Sequence, residues 1–537
     1  MLLWCRYAAC MKPQHLGKAV LVAAVVLLVG VGAAMGAAAA ADVSSNATET
    51  SSCSTIDSPG EYVLSGDVTA APNGGCLVVT ADDVTLDGTG HYIASDGASA
   101  AGPAVRVVDA ENVSVRNVTL SGWQVGVAFE GVDTGSISDV RVSTAEVVGV
   151  SIAAGSRDVT VSDSDVRDGT DGVRVDAASG VDVRDNAFSA LTGTAVHVRA
   201  NATEATVRNN TVSDTSGVGV RVTGADDVSV VDNEVADVAS HGIAVGGAST
   251  VTIERNRMTG VSGAGIRVRE SPGTQTRHNV VAEALSGGIQ YLDSGHEVRT
   301  VADILLDWPQ LSGLSAGPRS ESSDTRRSLA IQSSPGETAP RDALVTNNTV
   351  EGGYNHGVLV ESTSGIIVSD NRVTRSDDGV HASNSSDVSV WRNELHRNLD
   401  DGVAFGRVSD GDIRANNATR NGDNGIYVVG NGNVIADNTG LLNGDDGFDI
   451  QNATGSLVRN NVAAGNADDG IFLRNANNGT LVGNTVRDNL DDGIHFDRSA
   501  NNSVRELAAC GNDDDDVMRT PTAEDNDVSL TDCESAS

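Results

Sequence analysis

Asn398-Leu399-Asp400-Asp401-Gly402, Asn421-Gly422-Asp423-Asn424-Gly425 and Asn443-Gly444-Asp445-Asp446-Gly447 are three copies of one phrase, Asn-x-Asp-(Asp/Asn)-Gly. Two more copies run from Asn466 to Gly470 and from Asn489 to Gly493, and a partial copy, Asp377-Asp378-Gly379, precedes them. From Gly379 the glycines advance by 23, 23, 22, 23 and 23 residues. A fixed period of about 20–30 residues marks a solenoid, in which no repeat buries its apolar face alone and each must stack on its neighbours.

The same beat extends toward the amino terminus. A Gly-(Val/Ile) pair marks coils at Gly126, Gly149, Gly172, Gly219, Gly242, Gly265 and Gly288, with Ala195 standing in once. Between successive marks lie three short alternating runs. From Gly379, Val380 and Ala382 point in, Val388 and Val390 point in across Ser389, and Leu395 closes a third side. Period-two runs separated by Gly, Asn, Ser and Asp are strand–turn grammar, and no repeat carries a helical period. The spacing predicts an all-β, three-sided parallel solenoid of about 22–24 residues per coil with terminal caps. A second column fixes the register: asparagine recurs at 186, 210, 233, 256 and 279, then at 348, 371, 393, 416, 438, 461 and 484. Stacked coils bring such residues to ~4.8 Å, where amides form a ladder.

Residues 76–292 and 344–505 are the two repeat-bearing parts. Residues 42–75 and 506–537 are the expected caps, because an open solenoid end exposes unpaired strand edges. The beat breaks between Gly288 and Gly357, which are 69 residues apart, three repeats of 23. Residues 293–343 are expected to leave the coil and return in phase, His296–Leu311 as an amphipathic helix and Ser312–Pro340 without structure. Residues 1–41 read as an export signal or membrane anchor. An apolar run from Ala19 to Ala41 follows Lys12 and Lys18 and ends in small residues. The expected location is therefore secreted or cell-surface, with membrane contact only through that segment if it is uncleaved. Even-numbered cysteines in an exported chain favour disulfides, here Cys53 with Cys76 and Cys510 with Cys533, one staple at each end.

There are 73 acidic and 36 basic residues, for a net charge of −37, and both lysines lie in the leader. This balance resembles that of halophilic proteins, whose hydrated carboxylates maintain solubility in molar salt. Without a basic tract, a nucleic-acid partner is not expected.

The repeats resemble the right-handed parallel β-helix proteins of the pectin-lyase-like superfamily. The carriers are Gly-(Ile/Val)-x-(Val/Leu/Phe) and Asn-x-(Val/Leu), over roughly residues 76–505. Within that group the chain is similar to archaeal surface-exported members and to NosD-type accessory proteins. Ile56-Asp57-Ser58-Pro59-Gly60-Glu61-Tyr62-Val63-Leu64, Cys76-Leu77-Val78-Val79 and Asp83-Val84-Thr85-Leu86-Asp87-Gly88 are typical of their first coils. The resemblance implies a right-handed, single-stranded β-helix. It does not choose among lyases, hydrolases, epimerases and binders.

The outward residue after each Gly-(Ile/Val) forms a column. It reads Arg174, His197, Arg221, Ala244, Arg267 and Gln290, then Leu359, His381, Ala404, Tyr427, Asp449, Phe472 and His495. Rings beside carboxylates suit a sugar, which needs an apolar face and hydroxyl acceptors. His381, Tyr427, Asp449, Phe472 and His495 are therefore the candidate ligand-binding residues, with a polysaccharide or envelope glycan as the expected partner. Beside them, Asp378, Asp401, Asp446, Asp469 and Asp492 are expected to stack, with Asn424 interrupting the column. Two carboxylates ~4.8 Å apart repel by about 0.9 kcal/mol in water and about 3.5 kcal/mol at an effective dielectric near 20. Calcium would offset this, as would hydration in molar salt. A calcium-assisted lyase, hydrolase or epimerase, and a NosD-like accessory or structural envelope protein, are the alternatives to a glycan binder. For copper the column offers no imidazole cluster, since His381 and His495 stand five coils apart, roughly 24 Å.

Overall fold

The computed structural model describes residues 47–70, 75–97, 100–153, 155–293 and 343–531. The leader and the expected helix at 296–311 lie outside the described residues. Every regular element described is a strand, and the coils form a right-handed parallel β-helix of about 18 turns. Each coil gives one short strand to each of three parallel sheets. In the coil from Gly379 these are Val380–Ser383, Ser389–Trp391 and Glu394–His396. They pair in register with Val403–Gly406, Asp412–Arg414 and Asn417–Thr419 of the next coil. Below, the sheet holding Val380–Ser383 is called the first sheet.

The alternation predicted from sequence places the core. Val380, Ala382, Val388, Val390 and Leu395 are all fully buried. β-Branched residues suit this pleated, tightly stacked wall. The glycine beat has a steric cause: a Cβ on Gly402 would stand 2.5 Å from the Gly425 carbonyl oxygen of the next coil. The backbone there approaches its neighbour too closely for any side chain.

The asparagine column is buried and continuous. The backbone N–H and Nδ2 of Asn393 both donate to Oδ1 of Asn416, at 3.0 and 2.9 Å. Nδ2 of Asn416 donates in turn to the Val390 carbonyl and to Oδ1 of Asn438, at 2.7 and 3.0 Å. Each amide thus feeds the next and satisfies turn groups that water cannot reach. A second ladder lies inside the opening phrase. The Nδ2 groups of Asn398, Asn421, Asn443 and Asn466 donate to Oδ1 of Asn421, Asn443, Asn466 and Asn489, at 3.1, 3.2, 3.0 and 2.9 Å. The phrase therefore begins inside the wall and only its middle faces out.

The stack passes the break without losing a coil. Ile289–Leu292 pairs directly with Val358–Glu361, and Asn279 Nδ2 donates to Asn348 Oδ1 at 3.1 Å. At the amino end, Ser54–Ile56 already pairs with Leu77–Val79, and a Cys53–Cys76 disulfide links the same two coils. At the other end, Val517–Arg519 pairs with Ile494–Phe496. Cys510 is disulfide-bonded, while Cys533, its expected partner, lies outside the described residues.

Replacing one ladder amide orphans two buried donors of the preceding coil. Asn416→Ala is expected to destabilise the protein by about 1–3 kcal/mol per orphaned donor. Its exposed neighbour, in Asn417→Ala, should stay within about 0.5 kcal/mol. Urea unfolding midpoints of the two variants check this difference.

Candidate functional site

The five ring and acid residues singled out from sequence share one sheet in register. His381 pairs with Ala404, Ala404 with Tyr427, Tyr427 with Asp449, Asp449 with Phe472 and Phe472 with His495. Tyr427, Asp449, Phe472 and His495 line an open trough together with the Asp-Asp turns from Asp400 to Asp491, whereas His381, further along the same column, does not line it. Asp449 takes its outward place in the column, but its side chain is buried in the trough floor. Gln451 Nε2 donates to Asp449 Oδ2 at 2.7 Å, whereas Oδ1 has no partner. Phe472 is covered by the Arg474 guanidinium, 4.9 Å from its centroid, and meets the His495 ring at 5.1 Å, tilted by 58°.

The acidic turns are two columns rather than one. The first aspartate of each phrase, at 400, 423, 445, 468 and 491, is exposed or half-buried at the lip. The second, at 378, 401, 446, 469 and 492, is buried, 2–5 % exposed. Hydration at the turn, expected as one way to offset repulsion, is therefore closed to the inner column. Its carboxylates instead bind backbone. Asp378 Oδ1 accepts the Asp401 N–H at 3.0 Å, Asp446 Oδ1 the Asp469 N–H at 2.8 Å and Asp469 Oδ1 the Asp492 N–H at 3.0 Å. Asn424 does not interrupt this chain. Its Nδ2 donates to Asp401 Oδ1 at 3.0 Å, and its own Oδ1 accepts the Asp446 N–H at 3.2 Å.

Burial and like neighbours raise these acids. Burial, then the charge of Asp378, pushes Asp401 up to about 8. Burial, then Asp469 and Asp449, pushes Asp446 up to about 10. Asp469 rises to about 8 and Asp449 to about 6, both mainly through burial. Asp378 goes the other way. Burial alone would raise it, but His356, His381 and the Asp401 N–H outweigh that and hold it well below the usual carboxylate range.

His356 escaped the sequence reading, and it corrects the finding that no imidazole cluster exists. It occupies the residue before Gly357, the register position that becomes Asp378 one coil later, so it heads the acidic column. His356 Nδ1 lies 2.9 Å and His381 Nδ1 2.8 Å from Asp378 Oδ2, and the two rings stack with centroids 4.1 Å apart. Toward the other end of the trough, His495 Nδ1 lies 3.0 Å from Asp469 Oδ2 and 3.6 Å from Asp492 Oδ2. Met518 follows His495 in the same column. In between, Asp445, Asp446 and Asp468, and then Asp468, Asp469 and Asp491, hold carboxylate oxygens within 4.8 Å of one another. The available signal was simple: reading the turn column one coil further back would have found His356.

Comparisons with known proteins agree with this architecture. Residues 73–235 and 148–303 match the model of the right handed beta helix region, and residues 336–506 match that of the periplasmic copper-binding protein NosD. The chain is thus a right-handed parallel β-helix repeat protein. Its second part is NosD-like. No curated protein matches the chain. Among solved structures, endopolygalacturonase I from Stereum purpureum is 12 % identical over 46 % of this chain and 90 % of its own, with a TM-score of 0.37. DFA-IIIase from Arthrobacter chlorophenolicus A6 is 12 % identical over 57 % and 83 %, with a TM-score of 0.37. The A-module of the mannuronan C-5 epimerase AlgE6 from Azotobacter vinelandii is 16 % identical over 87 % and 91 %, with a TM-score of 0.22. At these identities the likeness concerns the fold alone.

Acids raised in the folded state bind protons more tightly than in the unfolded chain, so their contribution is full below about pH 4 and fades as pH climbs through about 8 to 10. In low salt with chelator, the melting temperature should therefore fall between pH 5 and pH 9. A flat or rising profile in that window would contradict the buried, unneutralised column. The depressed Asp378 acts oppositely, and only at much lower pH.

Proposed function

We propose that the chain is an exported or cell-surface β-helix protein that binds carbohydrate in the trough of Tyr427, Asp449 and Phe472. One observation carries this reading: Asp449 Oδ1 is buried without a partner, on a floor residue flanked in register by Tyr427 and Phe472. A buried acceptor left unpaired costs about 1–3 kcal/mol, which a sugar hydroxyl would recover while the flanking rings take its apolar face. Export is supported by the apolar leader and by the periplasmic family matched at residues 336–506. Binding to a panel of neutral polysaccharides should weaken at least tenfold in a Tyr427→Ala plus Phe472→Ala variant, measured by affinity electrophoresis. Unchanged binding in that variant rules out this trough.

The second reading is cation binding on the same wall, favoured by the convergence of His356 and His381 on Asp378. One ligand atom from each of the three residues lies within 4.8 Å of the others, close enough to share one ion. Two imidazoles and a carboxylate suit a borderline ion such as Cu2+ or Zn2+, and the matched family is described as copper-binding. The paired carboxylates further along offer the oxygen ligands that calcium takes. Calorimetric titration should show Zn2+ or Cu2+ binding weakened at least tenfold by His381→Ala, with calcium binding unaffected by it. Transition-ion binding that survives His356→Ala plus His381→Ala would exclude those residues as ligands.

A further inference from the structure

The first sheet changes sign along its length. The register positions that carry Asp-Asp in the second part carry Thr170-Asp171, Gly193-Thr194, Gly217-Val218, Ser240-His241 and Gly263-Ala264 along this row, a single acid in five coils. The outward column beside them is Arg174, His197, Arg221, Ala244 and Arg267, stacked in register on five successive coils. In a chain of net charge −37, three arginines on alternate coils of one face need a reason.

Neighbouring acids do not supply it. Arg174 is paired with Asp171 at 2.7 Å, at the amino-terminal end of the row. Beside the row, Arg199 meets Asp176 at 3.4 Å, and Arg269 meets Glu270 and Asp293 at 3.3 and 3.5 Å. Arg221 is exposed and has no ion pair among the described residues. Arg267 leans on His241 Nε2, at 3.1 Å, rather than on a carboxylate. Arg174 Nε, His197 Nε2 and Arg267 Nε are buried atoms without hydrogen-bond partners. The local field is visible in the histidines. Burial, then Arg221 and Arg199, pushes His197 down to about 4, and burial, then Arg267 and Arg221, lowers His241.

We infer that the Arg174–Arg267 row is a binding track for an extended polyanion, a glycan bearing carboxylate or sulfate groups. Guanidinium groups on alternate coils, two spacings of ~4.8 Å and so about 9.6 Å apart, meet such groups through paired N–H donors, and a linear polymer can follow the row along the helix axis. That the polymer is a glycan rests on the carbohydrate reading above. The cationic row itself does not, since it lies outside the trough and outside the NosD-like part. The two regions divide the labour: the first holds fixed negative charge, and the second repels it unless cations intervene.

The test uses the full chain with heparin, polygalacturonate, neutral dextran and duplex DNA in affinity electrophoresis at low and at molar salt. Heparin, polygalacturonate or both should retard the protein at low salt, and the responding polymer identifies the anionic group. Dextran serves as the uncharged reference. Arg221→Gln plus Arg267→Gln should weaken that binding at least tenfold. Arg397→Gln plus Arg420→Gln, which removes two exposed cations from the turns that follow Glu394–His396 and Asn417–Thr419, should leave it unchanged. Tyr427→Ala plus Phe472→Ala should also leave it unchanged, so failure of the trough reading shows separately. Absence of polyanion binding, equal loss in both arginine pairs, or retardation by DNA as strong as by the glycans would overturn the proposal. Unfolding midpoints confirm that the exposed Arg221 and half-buried Arg267 were replaced without loss of fold.

Discussion

In-register stacking places every side chain of this molecule about one strand spacing from its own counterpart, so like must tolerate like. That constraint sorts residue types. Valine and isoleucine meet themselves as ordinary core contacts. Asparagine carries a donor and an acceptor on one group, so a column of it is self-satisfying, and two such ladders line the wall. Carboxylate and guanidinium groups carry one sign only. Columns of them remain unbalanced until backbone, a proton, a cation or a bound molecule intervenes.

The trough and the arginine row are the two places where the stack leaves that imbalance standing. In the trough, backbone N–H groups satisfy one oxygen of each inner aspartate, and the remaining charge is suppressed by protonation, seen as raised acids from Asp401 to Asp469. At the head of the column Asp378 Oδ2 instead meets His356 and His381, and Asp378 alone among the inner carboxylates is held below the usual carboxylate range. The one aspartate that departs from the rest of the row thus does so because of what caps the row.

The fold was legible because solenoids write their geometry as period. Glycines at a 22–23-residue step, alternating valines and the Asn column each mark a specific wall position, and the structure places them there. The site was legible in part. Column reading grouped His381, Tyr427, Asp449, Phe472 and His495 on one sheet, since side-chain direction alternates regularly along a strand. It could not tell that Asp449 is buried, because outward and exposed differ once the turns rise beside the strand. It also missed His356, since a column defined by its aspartates hides a different residue in the same register. The Asn of the repeated phrase was read as turn chemistry, though its amide faces inward.

A quasi-one-dimensional stack is lost most easily from its ends, where a coil has one neighbour instead of two. The Cys53–Cys76 bond joins residues 23 apart, so it fastens one terminal coil to the next, the step at which unzipping would begin. Cys510, near the opposite end, is also in a disulfide. Fraying is thus opposed at the amino-terminal tip, where the coil with a single neighbour is also held to it covalently.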